Sequence, residues 1–155
     1  MGCGLMDSVR DIEGMSITPL KIIDTIGGDI LHAMKVGDDG YADFGEAYFS
    51  TVEYSSVKAW KRHREMVLNL VVPVGEVRFV IYDDRQNSST VGVFQEITLS
   101  KKNYARLTVP PLVWLGFQGL EQGMNLLLNI ASIPHDPNEV DRKLFNAIDY
   151  DWSLN

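Results

Sequence analysis

The chain has 155 residues, 45% of them hydrophobic and 23% charged, which is typical of one soluble globular domain with a sizeable core. Its formal net charge of -7 argues against nucleic acid as a partner, because phosphate backbones bind basic surfaces. Cys3 is the only cysteine, so no internal disulfide can form and a reducing cytoplasm is the expected location. The sequence has no secretory signal and no apolar run of the ~20 residues that cross a bilayer, so no membrane partner is expected.

The first half of the chain predicts a leader followed by strands. Residues 1–28 have little periodicity and are expected to form a leader segment that ends in a glycine turn. A first strand is predicted at 30–35, and a run rich in β-branched and aromatic residues predicts a second at 47–54. The long run 57–72 is predicted to continue as strand structure, beginning charged and becoming apolar.

The second half predicts further strands, so the chain is all-β. Alternating or apolar runs predict strands at 76–82, 91–99, 105–109 and 124–132. The segment 109–119, with two prolines and aromatic residues, is interpreted as a hydrophobic turn, and 139–145 as one or two helical turns. Many short strands with frequent turns predict a β-sandwich or barrel with short peripheral helices.

A dense basic cluster stands at the start of the long apolar run. Its members are Lys58, Lys61, Arg62, His63 and Arg64. Within an acidic protein, this cluster suggests a local site for an anionic ligand, on a strand that runs from the mouth of a barrel into its interior. The alternative is a solvated strand end whose long side chains lie over apolar surface.

Strand alternation divides the cluster between two faces. In one unbroken strand, Lys61, His63 and Asn69 share a face, and Lys58 and Arg62 share the other. A bulge would exchange the two sets partway along. His63 could act as a general base, because imidazole titrates near neutral pH. Lys61 is the alternative base, if burial and neighbouring cations lower its pKa.

Other candidate site residues lie later in the chain. Arg85 ends a strand and could bind an anion, although a charged turn explains it equally well. Trp114 could stack on a base or sugar and Gln118 could hydrogen-bond one, with core packing as the alternative. His32 and His135 are interpreted as structural or exposed, and no His-x-His pair occurs, so neither a metal nor another cofactor is expected.

An ordered set of motifs runs from about residue 47 to residue 152. The motifs are Val57-Lys-Ala-Trp-Lys-Arg-His63, Leu70-Val-Val-Pro-Val-Gly-Glu-Val77, Tyr82-Asp-Asp-Arg-Gln-Asn-Ser-Ser-Thr90, Ile97-Thr-Leu-Ser100, Leu107-Thr-Val-Pro-Pro111, Gly116-Phe117 and Ile148-Asp-Tyr-Asp-Trp152. In this order they resemble the dTDP-4-dehydrorhamnose 3,5-epimerase family, which are nucleotide-sugar isomerases. The resemblance implies a cupin-type jelly-roll, with 1–155 as a single domain.

The resemblance also shows where this chain departs from the family. The family's Arg-Gly-Leu-His-Tyr-Gln motif carries the base on its histidine. Here Lys58 aligns with the arginine and Lys61 with the histidine, while His63 follows two places later. The family's catalytic tyrosine, expected near Leu128 or Asn129, is absent.

The chemistry implied by the resemblance is proton abstraction beside the carbonyl of a nucleotide-linked 4-keto-6-deoxy sugar, with Lys61 and His63 as base and enolate stabiliser. The implied substrate-binding residues are Lys58, Arg62, Asn69, Arg85, Trp114 and Gln118, with Lys58 and Arg85 placed at the diphosphate. Only Tyr54 or Tyr104 offers an acid for the returning proton. A cupin that binds such a ligand without turnover, and an accessory cupin whose main partner is another subunit, remain open.

The family pairing and the apolar, edge-like strand at 47–54 predict a homodimer.

Overall fold

Residues 11–154 of the computed structural model are described here, and they form short strands with two 3-10 turns. The strands are β1 (Ser16–Pro19), β2 (Ile22–Ile23), β3 (Ile30–Leu31), β4 (Glu46–Thr51), β5 (Val57–His63), β6 (Leu68–Val74), β7 (Glu76–Tyr82), β8 (Phe94–Ser100), β9 (Ala105–Val109), β10 (Trp114–Gly119), β11 (Leu126–Ala131) and β12 (Val140–Arg142). The 3-10 turns are Pro137–Glu139 and Phe145–Ala147.

Two five-stranded antiparallel sheets make the body of the protein. The first sheet has the order β1-β9-β6-β11-β4 and the second has the order β12-β5-β10-β7-β8. A small hairpin of β2 and β3 lies apart from them. The predicted all-β jelly-roll is therefore confirmed.

The core lies between the two sheets because each strand presents alternate residues to the interior. In β7 these are Val77, Phe79 and Ile81, which are fully buried, and Val72 and Leu107 come from the first sheet. The inward positions of β7 and β9 are apolar throughout. The inward-facing side chains of β5 include Lys58, Lys61 and His63, so the apolar core does not extend over this strand.

The leader prediction for 1–28 is wrong where the structure describes it. Residues 1–10 lie outside the described residues, but β1 pairs with β9 at the edge of the first sheet. The strand predicted at 30–35 is only the two-residue β3, because the chain turns soon afterwards. No helix in residues 11–154 has the length and apolar character needed to span a membrane.

The run predicted as one strand at 57–72 is two strands. It breaks between β5 and β6 because the carboxylate of Glu139 accepts the backbone N–H groups of Glu65 and Met66, each at 3.1 Å. A side chain thus replaces the sheet partner at the break, and the chain passes there from the second sheet to the first.

Two further segments differ from their predictions. Residues 114–119 of the expected hydrophobic turn form β10, which pairs with β5 on one side and β7 on the other. The prolines at 110–111 only separate β10 from β9. The segment 139–145, expected to be helical, contains β12, which pairs with β5 and has a 3-10 turn on either side.

Candidate active site

A cavity of about 670 Å³ opens between the two sheets. Its floor is apolar and belongs to the core, and its walls carry polar and charged side chains. The floor residues include Met66, Leu68, Leu70, Leu115 and Leu127. The polar wall residues include Glu46, Tyr48, Ser50, Lys58, Lys61, His63, Asn129, His135, Arg142 and Lys143. This combination suits a ligand with a polar body and an anionic end.

An irregularity in β5 brings its basic residues to the cavity wall. Lys58 pairs with Phe117 and Lys61 pairs with Leu115, so β5 has one more residue between the pairs than β10. This is the bulge considered from the sequence, and it exchanges the faces partway along. Lys58, Lys61 and His63 all line the cavity.

His63 is held by a buried carboxylate. Its Nδ1 hydrogen-bonds to Oε1 of Glu139, while the other carboxylate oxygen accepts the two backbone N–H groups at the break after β5. Burial alone would raise the pKa of Glu139, but the hydrogen bonds from His63 and from the backbone outweigh it and lower that pKa. A glutamate fixed in this way orients the imidazole and leaves Nε2 free.

Lys61 stands among other cations. Its partner across the strand pair is Arg142 on β12, and both residues line the cavity. Partial burial first, and then the charges of Arg142 and Lys58, lower the pKa of Lys61 from its usual value. An anionic ligand would relieve this repulsion.

Lys58 lies at the side of the cavity next to β4. Its Nζ donates a hydrogen bond to the carbonyl of Thr51 at 2.7 Å and lies 3.5 Å from Oγ of Ser50. Lys58, Lys61 and Arg142 thus give the cavity wall three cationic side chains. Lys143 also lines the cavity, but its Nζ lies 4.8 Å from the centroid of the Trp114 ring. Arg62 and Arg85 do not line the cavity.

Asn69, predicted to share the face of Lys61, is outside the cavity. Its neighbours Leu68 and Leu70 line the cavity, so Asn69 points to the outer face of β6. There its amide donates to the carbonyl of Gly40 at 3.0 Å and accepts from the hydroxyl of Thr108 at 2.6 Å. The break between β5 and β6 removes the alternation on which the prediction depended.

Trp114 and Gln118 are also outside the cavity, because the inward positions of β10 are Leu115 and Phe117. Trp114 is buried in an aromatic cluster on the outer side of the second sheet, and its Nε1 donates to Asp84 at 2.9 Å. Gln118 is buried and donates to the carbonyl of Trp152 at 3.0 Å.

Arg62 and Arg85 serve structural ion pairs. The guanidinium of Arg62 lies 4.6 Å from the centroid of the Trp114 ring and bonds to Asp141 at 3.0 Å. Arg85 bonds to the buried carboxylate of Asp83 at 2.9 Å. Both arginines border a separate depression, so neither lines the cavity that contains Lys61.

The sequence interpretation missed several wall residues. Tyr48 lines the cavity, and strand alternation from Glu46 through Tyr48 to Ser50 could have indicated it. Arg142 gave no local signal, because it reaches the cavity only through the pairing of β12 with β5. Tyr104, considered as an acid, donates its hydroxyl to the carbonyl of His32 at 2.6 Å and does not line the cavity; nor does Tyr54.

No group of three or more His, Cys, Asp or Glu side chains that could hold a metal ion occurs within residues 11–154. The polar groups of the cavity are instead two imidazoles, a phenol, an amide, a hydroxyl, one carboxylate and several cations. Such groups bind anions and move protons.

Comparison with known proteins identifies the family, although no family model matches the chain. The solved structure of a dTDP sugar isomerase from Desulfovibrio desulfuricans G20 superposes with a TM-score of 0.88 and 38% identity, covering 91% of this chain and 92% of that one. The chain belongs to the dTDP-4-dehydrorhamnose 3,5-epimerase family of cupins. The resemblance stated from the motifs is thereby confirmed.

Two further proteins resemble this chain at lower identity. The probable low-salt glycan biosynthesis epimerase Agl13 of Haloferax volcanii is 27% identical over 140 residues, which are 89% of this chain and 88% of the relative. The 3,5-epimerase RmlC of Legionella pneumophila, solved with dTDP-4-keto-L-rhamnose, has a TM-score of 0.77 and 21% identity, covering 88% of this chain and 78% of that one. At that identity the second likeness shows the fold alone.

Proposed function

We propose that this protein is a nucleotide-sugar epimerase or isomerase that removes a proton beside the carbonyl of a 4-keto-6-deoxy sugar. The observation that carries the proposal is that Lys61 and His63 line one cavity, with His63 held by Glu139. The identity to a dTDP sugar isomerase supports the substrate class.

The reaction needs a base and a group that stabilises the enolate. A hydrogen on carbon next to a ketone is removed as a proton, and the electron pair moves through the new C=C bond onto the carbonyl oxygen. His63 suits the base, because Nδ1–H donated to Glu139 leaves the Nε2 lone pair available. Lys61 suits the stabiliser, because an ammonium group compensates the negative oxygen.

Two features of Lys61 support the reverse assignment. Lys61 occupies the aligned position of the family's base, and its pKa is lowered by burial and nearby cations. Under this assignment Lys61 takes the proton and His63 stabilises the enolate.

The anionic half of the substrate fits the cationic wall. We assign the diphosphate to Lys58 and Arg142, because lysine and arginine bind phosphate oxygens and both residues line the cavity. Arg85 loses this role, since its guanidinium is already bonded to Asp83.

Solvent exchange tests the proposal directly. The protein is incubated in D₂O with dTDP-4-keto-6-deoxyglucose, and deuterium at C3 and C5 is measured by NMR for wild type, Lys61→Ala and His63→Ala. We expect exchange by wild type and its loss in His63→Ala with nucleotide binding retained. Loss only in Lys61→Ala selects the reverse assignment.

A binding protein without turnover is the second candidate. It is favoured by Lys61 in place of the family histidine and by Leu128 and Asn129 where the family's tyrosine is expected. Wild-type protein that binds dTDP-4-keto-6-deoxyglucose but exchanges no deuterium would select this candidate over the enzyme.

Three broader features are part of the proposal. Residues 1–155 are proposed to form one cupin domain, because the two sheets share a single core cluster. The functional unit is proposed to be a homodimer, since β4 is an edge strand of the first sheet. The lone cysteine supports a location in a reducing cytoplasm.

A further inference from the structure

We propose that Tyr48 is the acid that returns the proton to the sugar, and that Asn129 positions its hydroxyl group. This inference rests on the proposed function and deepens it. It supplies an acid from β4, whereas the family's catalytic tyrosine is expected near Leu128 or Asn129 on β11.

Tyr48 and the proposed base stand on opposite walls of the cavity. Tyr48 belongs to β4 of the first sheet, whereas Lys61 and His63 belong to β5 of the second. The cavity between them has a volume of about 670 Å³, which leaves room for a sugar ring between these side chains. A proton removed at one wall and returned at the other inverts the carbon.

Asn129 holds the phenol in an arrangement suited to donation. The two residues are directly paired between β4 and β11, and Nδ2 of Asn129 donates to the hydroxyl oxygen of Tyr48 at 2.9 Å. The oxygen therefore acts as the acceptor in this bond, and its own proton remains available to the substrate. The same amide donor stabilises the negative charge left on the oxygen after donation.

A buried oxygen atom of Asn129 also points to a ligand. The residue is buried in the cavity wall, and its Oδ1 is buried with no hydrogen-bond partner among residues 11–154. An unpaired buried acceptor is costly, so such an atom is expected to find its partner in the bound state. A sugar hydroxyl is a donor of the right kind.

The return of the proton regenerates the ketone and leaves Tyr48 ionised. The enolate oxygen gives its electron pair back to re-form the carbonyl, the C=C electrons bond to the hydroxyl proton of Tyr48, and the O–H bond breaks to leave tyrosinate. The protonated base on β5 and the tyrosinate then exchange protons with water. Substrate and product are isomers, so no oxidant or cofactor is consumed.

The test separates proton removal from inversion. Wild type, Tyr48→Phe and the matched control Tyr41→Phe, whose hydroxyl is outside the cavity, are each incubated in D₂O with dTDP-4-keto-6-deoxyglucose. Deuterium incorporation with retained configuration and formation of the inverted product are both measured by NMR. We expect Tyr48→Phe to keep exchange within about threefold and to lose inversion by about 100-fold, the usual size of an acid–base contribution.

The positioning role has its own readout. Asn129→Ala is expected to lower the ratio of inversion to exchange at least fivefold, in the same direction as Tyr48→Phe, whereas a purely structural defect would lower both rates together. Far-ultraviolet circular dichroism and thermal melting of each variant check that it is folded. An unchanged ratio overturns the role of Asn129.

Other results overturn the role of Tyr48. Inversion by Tyr48→Phe within about threefold of wild type would show that another group returns the proton. Equal loss of exchange and inversion would place Tyr48 in the first step or in binding. If wild type itself exchanges no deuterium, the proposed function is wrong. This result is distinct from the two Tyr48→Phe results above, in which wild type is active.

Discussion

Glu139 hydrogen-bonds to the imidazole of His63 through one carboxylate oxygen, and through the other it accepts the backbone N–H groups of Glu65 and Met66 just after β5. The two residues are 76 positions apart in the chain. One side chain thus sets both the orientation of the proposed base and the end of the strand that carries it.

The first prediction concerns this carboxylate. We expect Glu139→Gln to lower kcat by about 10- to 100-fold, because the neutral amide no longer stabilises the imidazolium formed when His63 takes a proton. Steady-state kinetics measures the effect, with the exposed Glu121→Gln as the control. Glu139→Ala should in addition lower the free energy of unfolding by about 1–3 kcal/mol, because backbone N–H groups lose their acceptor. Unchanged kcat in Glu139→Gln would contradict the base assignment to His63.

Much of the fold could be predicted because it depends on local patterns. The strands at 76–82 and 105–109 match β7 and β9, since a strand buried on one or both faces shows its character in its own residues. The break between β5 and β6 could not be predicted. It depends on Glu139, which arrives from a distant part of the chain.

The site could be predicted in part for a related reason. Clustered charges on β5 marked Lys58, Lys61 and His63, all of which line the cavity. The placement of Asn69 and Gln118 in the cavity was wrong. Residue type alone does not distinguish an amide that binds a ligand from one that hydrogen-bonds to buried backbone groups.

A second prediction concerns the charge of Lys61. Because Arg142 helps to lower the pKa of Lys61, Arg142→Gln should raise that pKa. If the Lys61 ammonium stabilises the enolate, kcat falls as pH rises through its pKa, and in Arg142→Gln this fall moves to higher pH. The pH dependence of kcat measures the shift, and the exposed Lys102→Gln should show none. A shift in the rising limb instead would make Lys61 the base.

A third prediction concerns the diphosphate. Lys58→Gln should weaken the binding of dTDP by about tenfold, and binding should become less sensitive to salt, because one cation fewer meets the phosphates. Calorimetric titration at two ionic strengths measures both effects, with Lys102→Gln as the control again. Equal affinity and equal salt dependence would remove Lys58 from the phosphate site.

A fourth prediction concerns stability in acid. Asp83 is fully buried; burial alone would raise its pKa, but hydrogen bonds from Arg85, Ser88 and Thr90 lower it far below the usual value. Its contribution to stability is therefore present above the unfolded-state pKa of about 3.9 and is lost as pH falls below that value. Asp83→Asn should lower the free energy of unfolding at pH 7 by about 3 kcal/mol and flatten its fall below pH ~4. Urea denaturation across pH measures this, and an unchanged pH dependence would contradict it.

The last prediction concerns assembly. β4 is an edge strand of the first sheet, and Phe49 on it is 64% exposed. An exposed aromatic residue on an unpaired edge favours association with a second copy of the chain. We expect wild type to be a dimer by light scattering at micromolar concentration. Phe49→Glu should shift it towards monomer, because a charge at the interface would be buried, whereas Phe145→Glu, at an exposed position away from β4, should leave it dimeric. A monomeric wild type would refute the dimer, and a dimeric Phe49→Glu would place its interface elsewhere.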